Sequence, residues 1–560
     1  MAAAVAGVLL QWFPGGGGLA APSGGAFDGA RAMADVHTMV ADGTPRVVGT
    51  PGAAAGRDRV VELMQQAGLA VDRPRATIVR RSGERLELEN LVAVVPGRDP
   101  HARGRAPLAV VAHSDSAPGA PGAGDDASGV ACVLGVARAL LAEPPAHDVL
   151  LVITDGEEAG LLGAQAFVNN DARAKDLRAV VNLDARGAAG PAYVFETGPE
   201  TAWLADRMAE SLSHPRTMSL AVEAYRRMPN GTDFTVFLRA GMTGYNVAFI
   251  GDVGAYHTPD DVPDRLRPAT VAHMGQTALE LVRGLDRALP PEGQPIPAGR
   301  AVFGDVLGLW ILRWPEPWTP VLACGAAFLL LASAVWGIVR AEAAPGEARP
   351  GRHAAASLAA CVAVLLAAVG VAWGLGAAAG AAGVRMAVTP GRAIGIDVAI
   401  WSGAFVLAVG AGAWLARRQA APWAVVLGAW GPWCALAVAS AFALPAVSLP
   451  FVVPVALAAV AALALRAARV ALMGAAAWTA AAGSLGAAAC WLPVEPAFMD
   501  AFGVALAPVN GLRAGLVALT FVPLAAGLLA PMAPTQTAPA QGGGRQERDR
   551  LGSNQQPSVS

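Results

Sequence analysis

Two adjacent glutamates, Glu157 and Glu158, follow an apolar run in the stretch "ITDGEEAGLLG", residues 153–163. Neighbouring carboxylates at the end of a buried strand repel each other and are costly to desolvate. Other polar groups in the same half of the chain also follow apolar runs, in "AHSDS", "GAGDDASG", "NLDARG" and "AYHTPDD". This recurring placement indicates one shared site, not a set of unrelated surface groups.

The grouping of acids and histidines points to metal chemistry. Ligands of open α/β sheets gather at the carboxyl ends of the strands, so these groups are expected on one rim. Carboxylates crowded together raise one another's pKa unless a cation neutralises them. His113 and His257 among them favour zinc or a related transition metal over calcium or magnesium. One glutamate could bind a metal while its neighbour takes a proton from metal-bound water, whose pKa a metal lowers towards about 7.

Alternating strands and helices would position these groups. Apolar strands are predicted at 88–97, 106–115, 147–155, 177–187 and 245–251, and helices at 56–69, 127–142 and 264–288. Apolar strands that alternate with helices predict an α/β fold, with a mixed, mostly parallel sheet flanked by helices.

The order of the motifs resembles a known family. HxD, D-x-x-SG, GEE followed by GLxG, NLD and YHT-P are similar to the co-catalytic di-zinc aminopeptidases, metallopeptidase family 28, from about residue 46 to about residue 288. Together with an apolar second half, the chain resembles the membrane-anchored branch, which includes vacuolar and endoplasmic reticulum membrane metallopeptidases. One departure is Gly124, where many relatives carry Asn or Asp before the metal-bridging residue.

The resemblance implies a role for each residue of the pattern and two Zn2+ per chain. The implied metal ligands are His113, Asp125, Glu158, Asp184 and His257. Asp125 would bridge both ions, with His113 and Asp184 completing one site and Glu158 and His257 the other. Glu157 would be the general base, Asp115 would orient His113, and Tyr256 would help to polarise the scissile carbonyl.

Five further acids are expected to play supporting parts. Asp126, Asp155, Asp260 and Asp261 are interpreted as groups that support the ligands or cap helices. Asp233 is expected to cap a helix near the substrate pocket.

The second half of the chain is apolar and contains few acids. Only five acidic residues lie between Trp318 and Pro531. Runs of about 20 apolar residues can cross about 30 Å of hydrocarbon, and seven are predicted: 318–339, 356–380, 393–416, 423–444, 448–466, 470–492 and 512–532. Seven successive runs disfavour the alternative, a buried helical core of a soluble domain.

Basic residues in the short loops predict the orientation in the membrane. Ten arginines lie in the tail and in the loops after the first, third and fifth runs, against two in the opposite loops. The arginine-rich side is expected to be cytoplasmic. The polar half would then lie outside the cytoplasm, and the C-terminal tail inside it, in a protein of the cell membrane.

The predicted organisation has five parts: an apolar N-terminal segment with a linker (1–27), a zinc peptidase domain (28–290), a linker (291–317), a transmembrane domain of about seven helices (318–532) and a disordered tail (533–560). The N-terminal segment is interpreted either as the end of a truncated transmembrane helix or as a short interfacial segment.

These features predict a membrane-anchored zinc metallopeptidase, an aminopeptidase by resemblance, whose partners are peptide substrates and the lipid bilayer. The net charge of −2 gives no argument for nucleic acid, and no feature specifies an oligomeric state. Three alternatives stay open at this point: a single-zinc enzyme resembling glutaminyl cyclase, a catalytically silent receptor or scaffold, and a transporter with an accessory ectodomain.

Overall fold

The computed structural model describes residues 26–79, 83, 85–99, 106–342, 350–382, 390–418, 420–491 and 507–529. The predicted tail at 533–560 lies outside these residues, as does the predicted N-terminal segment up to residue 25.

A seven-stranded sheet forms the centre of the first half. Its strands are β1 (Val71–Asp72), β4 (Leu91–Val95), β5 (Leu108–His113), β6 (Val149–Thr154), β7 (Ala179–Gly187), β8 (Ala192–Thr197) and β9 (Thr243–Gly251). The strand order is β1-β4-β6-β5-β7-β9-β8, and the four strands β6, β5, β7 and β9 are parallel to their neighbours in this group. The edge strands pair antiparallel. The predicted mixed α/β sheet is therefore confirmed.

Helices cover both faces of the sheet. They span Gly29–Met39, Pro51–Gln66, Gly129–Ala142, Leu162–Asn170, Thr201–Ser211, Ser219–Tyr225, Asp233–Arg239 and Pro268–Ala288. Every residue of β5 is buried. Successive side chains of a strand point to opposite faces, and accordingly Val110 and Val111 belong to two different apolar clusters. This double cover explains why the central strands are continuous apolar runs.

Two hairpins accompany the main sheet. The first joins β2 (Arg75–Val79) to β3 (Arg85–Glu89). The second, β10 (Ala301–Val306) with β11 (Trp310–Pro315), lies in the segment predicted as a linker. The second hairpin is attached to the domain, because the Asp305 carboxylate accepts the Thr217 amide at 2.9 Å.

Long helices follow at each of the seven predicted membrane runs. They are Thr319–Glu342, Pro350–Ala381, Pro390–Arg417, Pro422–Ala443, Leu449–Ala467, Leu472–Trp491 and the pair Ala507–Leu519 and Val522–Leu529. Five single helices are long and apolar enough to cross a membrane within the described residues, and the last pair, bent by 43°, makes a sixth if counted as one span. The helix Leu472–Trp491 is not among these.

The two halves meet at the short loop between the fourth and fifth of these helices. The Ser219 hydroxyl donates to the Ala446 carbonyl at 2.6 Å. It also accepts the Phe303 amide at 3.2 Å, which ties the second hairpin to the same point. Leu449 packs beside Gly304. The helix Ser219–Tyr225 therefore rests directly on the membrane half.

Candidate metal centre

The carboxyl ends of three parallel strands supply most of the predicted site. His113 is the last residue of β5, and Glu157 and Glu158 lie in the turn after β6. Asp184 lies within β7, three residues before its end. His257 follows β9 in a loop where its φ is 57°. The parallel arrangement brings these residues to one rim of the sheet.

The five proposed ligands form two groups that share one residue. His113, Asp125 and Asp184 make the first group, and Asp125, Glu158 and His257 make the second, with the candidate ligand atoms of each within 4.8 Å of one another. The two oxygens of Asp125 point to different groups: Oδ1 lies 3.1 Å from His113 Nε2 and Oδ2 lies 3.1 Å from His257 Nε2. Glu158 Oε1 lies 3.0 Å from His257 Nε2.

This donor set fits a pair of divalent ions. Two ligand atoms that each lie about 2.0 to 2.1 Å from a tetrahedral zinc are about 3.3 Å apart, close to the separations seen here. Burial and, to a smaller extent, the charge of Asp125 raise the pKa of Asp184 to about 7. Burial also raises the pKa of Glu158. Bound cations would allow these carboxylates to remain charged together.

Asp115 connects the first histidine to the glutamate turn. Its Oδ1 lies 3.4 Å from His113 Nδ1, the ring nitrogen that faces away from Asp125. Its two oxygens also accept the backbone amides of Glu157 at 3.0 Å and Glu158 at 3.2 Å. One buried carboxylate therefore orients a proposed ligand and fixes the turn that carries the two glutamates.

Glu157 belongs to neither ligand group but lines the same cavity. Burial raises its pKa well above the ordinary range. The His113 charge opposes this shift, and the negative charge of Asp184 adds to it. A half-buried carboxyl group beside two proposed metal positions has the environment of a proton acceptor.

Tyr256 stacks on the second proposed histidine ligand. The ring centroids of Tyr256 and His257 are 3.7 Å apart with an angle of 20° between the planes. Tyr256 also lines the cavity. The stack fixes the imidazole plane and leaves the phenol at the cavity wall.

Backbone contacts hold Asp125, the residue that the two candidate ligand groups share. The buried Asp261 carboxylate accepts the amide of Gly124 at 2.6 Å and that of Asp125 at 3.1 Å. A Cβ at Gly124 would lie 2.3 Å from the Gly187 carbonyl oxygen, so this backbone path has no room for a side chain. The departure from the resembled pattern at Gly124 thus has a steric reason.

The remaining acids separate into distinct supporting contacts. Asp126 accepts the amides of His113 at 3.2 Å and of Gly129, at the start of a helix, at 3.1 Å. Asp155 pairs with Arg57 at 2.9 Å. Asp260 forms an exposed ion pair with Arg265 at 3.0 Å.

Asp233 is the first residue of the helix Asp233–Arg239, and its carboxylate accepts the Thr154 hydroxyl. The cap at this helix is Thr232, one residue earlier than predicted.

Arg46 is a supporting residue that the sequence interpretation did not single out. Its guanidinium is buried and donates to the carbonyls of Ser114 at 2.8 Å, Gly122 at 2.9 Å and Pro121. These carbonyls belong to the two loops that carry Asp115 and Asp125. The only sequence signal was its place at the start of "RVVGTPG", where the resemblance begins.

A cavity of about 620 Å³ opens beside the two ligand groups. Its floor comes from one face of three neighbouring strands, where Ala248, Ile250, Tyr193 and Phe195 lie beside Asp184. The helix Ser219–Tyr225 forms a wall. The space is large enough for several residues of a peptide and is mostly apolar, as ligand sites generally are.

Residues 90–282 match the family described as "Peptidase family M28". Mouse "Endoplasmic reticulum metallopeptidase 1" is 31% identical over 234 residues, which cover 41% of this chain and 26% of that protein. "Vacuolar membrane protease" of Eremothecium gossypii is 30% identical over 244 residues, which cover 41% of this chain and 22% of that protein. The matched region thus spans about a quarter of the length of these curated relatives.

Solved structures similar to the first half include a glutaminyl cyclase of Fimbriiglobus ruber, with a TM-score of 0.39 and 21% identity over 47% of this chain and 97% of that chain. A Zn-dependent exopeptidase from Parabacteroides distasonis has a TM-score of 0.37 and 20% identity over 46% of this chain and 98% of that chain. The region matched by sequence runs from just before β4 to within the helix Pro268–Ala288 and includes both ligand groups. Residues 90–282 therefore match peptidase family M28, and the chain is similar in this region to membrane metallopeptidases and proteases.

Proposed function

We propose that the protein is a membrane-anchored zinc aminopeptidase that removes N-terminal residues from peptides. The observation that carries this proposal is the sharing of Asp125 between two ligand groups, with Glu157 beside both. The match to a metallopeptidase family supports hydrolysis of peptides, and the resemblance to di-zinc aminopeptidases supports the exopeptidase action.

Each side chain of the centre has a separate task in this proposal. His113 and Asp184 would hold one divalent ion, Glu158 and His257 the other, and Asp125 would bridge them. Ions bound there supply Lewis acidity, which activates water and polarises a carbonyl group.

Glu157 accepts a proton from the attacking water and returns it to the leaving amine. The Asp115 carboxylate accepts the backbone amide of Glu157 and so keeps Glu157 in place. Tyr256, at the cavity wall, is positioned to donate a hydrogen bond to the scissile carbonyl oxygen.

The glutamate pair provides the central test. The full-length chain in detergent would be assayed on N-terminal aminoacyl substrates and on the same peptides with an acetylated N-terminus. We expect cleavage of the free peptides only, inhibition by a chelator, and two metal ions per chain. Glu157→Gln should retain the metal and lose at least 1,000-fold in kcat, within the usual range for a general base. Turnover at the parental rate by Glu157→Gln would refute the mechanism.

The metal count also separates the proposal from its rivals. A single-zinc enzyme of the glutaminyl cyclase type would bind one ion per chain and would not need both ligand groups. A silent receptor or scaffold would bind metal yet cleave none of the peptides.

We also propose that the peptidase domain lies outside the cytoplasm and the C-terminal tail inside it. The domain contacts Ala446, in a loop without basic residues between the fourth and fifth helices. At the other ends of the first and fifth helices, Arg340 and Arg466 both lie over the Trp336 ring, at 5.0 and 3.8 Å. Basic residues therefore collect on the side away from the domain, which the positive-inside rule assigns to the cytoplasm.

Labelling of cysteines tests this orientation. In a Cys324→Ser background, which removes the exposed native thiol, the exposed positions Lys175 and Arg418 would each be replaced by Cys. An impermeant maleimide added to intact cells should label Lys175→Cys, and should label Arg418→Cys only after permeabilisation. The reverse pattern would refute the orientation and leave the proposed chemistry standing.

A further inference from the structure

The cavity beside the metal centre contains one positive side chain. Among the described residues that line it, Asp125, Glu157, Glu158, Asp184 and Asp305 are acidic and Arg186 alone is basic. Asp305 lies 3.5 Å from Arg216, which is not among the lining residues, and its carboxylate accepts the backbone amides of Thr217 and Gly308, both at 2.9 Å. Arg186 is therefore the one cationic side chain among these lining residues.

Arg186 stands close to the proposed reaction centre. It follows Asp184 by two residues on β7, so both side chains project from the same face of the sheet, about 7 Å apart along the strand. Both are partly exposed, whereas Ala185 between them is buried. The guanidinium carbon lies 5.8 Å from the ring centre of Tyr256, which itself stacks on His257.

Within the described part of the chain, no carboxylate forms an ion pair with Arg186, and its recorded contact is the Tyr256 ring. The four acids that line the cavity beside the proposed metal positions carry four negative charges at most, which two divalent cations would balance. The charge of Arg186 is then left without compensation by the acids of the cavity lining, which also contains the apolar side chains of Ile250 and Phe195. An incoming anion could supply that compensation, and a guanidinium binds a carboxylate through two parallel hydrogen bonds.

We propose that Arg186 binds a carboxylate of the substrate, one or two residues beyond the bond that is cleaved. This inference rests on the proposed peptidase function. In an aminopeptidase a single residue precedes the cleaved bond, so the chain beyond that bond must supply the anion. A peptide extends by about 3.3 to 3.6 Å per residue, and the 7 Å offset therefore corresponds to about two residues. The substrates favoured are short peptides with a free C-terminus, or longer ones with Asp or Glu near the cleaved bond.

Three matched peptides test the proposal with the full-length, zinc-loaded protein. They are Leu-Ala-Ala with a free carboxylate, the same tripeptide with a C-terminal amide, and Leu-Glu-Ala amide. The wild-type kcat/KM for the free acid should exceed that for the amide by about 10- to 100-fold, the usual effect of a hydrogen bond to a charged group. If kcat/KM for Leu-Glu-Ala amide equals that for the free acid, a side-chain carboxylate is sufficient for binding to Arg186. If it equals that for the simple amide, the C-terminal carboxylate is the group that Arg186 binds.

Substitution of the arginine must remove this preference selectively. Arg186→Met keeps the apolar stem over Tyr256 and should reduce the rate for the free acid to that for the amide, with little change for the amide itself. Arg186→Lys should retain part of the preference, because an ammonium cannot form the paired contact. Arg173→Met, at a partly exposed arginine that pairs with Asp171 away from the cavity, is the matched control and should keep the wild-type preference.

A binding measurement separates failure of this inference from failure of the proposed function. In the Glu157→Gln background, calorimetry should show tighter binding of the free acid than of the amide, and Arg186→Met should abolish the difference. If wild type hydrolyses the free acid and the amide equally, or if Arg186→Met slows both equally, the proposed binding of a substrate carboxylate by Arg186 is refuted. The proposed peptidase function is then unaffected. If wild type cleaves no peptide, the proposed function is refuted. Equal binding of the free acid and the amide would then refute the proposed role of Arg186 as well.

Discussion

Asp261 provides the sharpest test of how the centre is held together. The residue is 1% exposed, and its two oxygens accept the amides of Gly124 at 2.6 Å and Asp125 at 3.1 Å. Asp261→Asn preserves the shape but turns one acceptor into a donor that faces a backbone N–H. A hydrogen bond to a charged group contributes about 1.5 to 3 kcal/mol, and a buried unsatisfied donor costs about 1 to 3 kcal/mol. We therefore expect the free energy of unfolding to fall by about 2 to 4 kcal/mol.

The larger consequence concerns the metal. The two amides belong to the bridging aspartate and the residue before it, so their release would move a ligand that both proposed ions share. Loss of a group that supports a metal ligand typically weakens metal binding 10- to 100-fold. For Asp261→Asn we expect the dissociation constant for Zn2+ to rise by this factor, and the loss should affect both ions because Asp125 belongs to both groups.

Competition with a fluorescent chelator would measure the zinc affinity, and urea unfolding would measure stability. The adjacent Asp260→Asn is the matched control, because the Asp260 side chain is 70% exposed and pairs only with Arg265 among the described residues. It should leave zinc affinity within about twofold of wild type, since exposed ion pairs contribute little. An Asp261→Asn protein that is destabilised yet binds zinc with wild-type affinity would refute the positioning role.

Three further predictions concern stability, each measured by urea unfolding of the full-length chain. Arg46→Lys removes a guanidinium that bridges three carbonyls and should cost at least about 2 kcal/mol, and an unchanged midpoint would contradict its bridging role. Arg57→Met leaves the buried carboxylates of Asp155 and Glu89 without their shared cation and should cost about 3 to 5 kcal/mol, whereas Arg59→Met, at a surface pair, should cost under about 1 kcal/mol. Burial lowers the pKa of His273 from 6.5 to about 4, so between these pH values the unfolded chain binds a proton that the folded chain does not bind. The free energy of unfolding should therefore fall by at most about 3 kcal/mol as the pH drops from about 6.5 to about 4. His273→Gln should show a shallower loss in that window, and an identical slope would refute the assignment.

The central strands and the proposed ligands could be predicted because their signals are local. His113 and Asp184 stand in apolar strands and Glu158 follows one within four residues, and the parallel order of the strands then brings distant residues to one rim. His113 and Asp184 needed no knowledge of loop geometry for this reason. The apolar runs of the second half were equally clear, because a helix or a bent pair of helices lies at each of them.

The supporting contacts could not be predicted, because they join positions far apart through loops. Asp261 lies 137 residues from Gly124, and Arg46 lies 68 residues from Ser114. Nothing in "TPDD" distinguishes Asp261 from Asp260 before the loops are placed. The sequence predicts a linker at 291–317, whereas the structure has the second hairpin there, and neither of its six-residue strands belongs to a long apolar run.

The contact between the halves was also outside the reach of sequence patterns, yet it bears on the substrate cavity. The helix Ser219–Tyr225 lines that cavity through Leu220 and Tyr225, and its first residue bonds to the Ala446 carbonyl of the membrane half. Leu220 packs against the apolar cluster of the membrane helices, while Tyr225 meets Phe195 of the sheet edge to face, with ring centroids 4.7 Å apart. One short helix thus transmits the position of the membrane half to the cavity wall. Separation of the two halves would remove one side of its support, so the cavity depends on the membrane half as well as on the sheet.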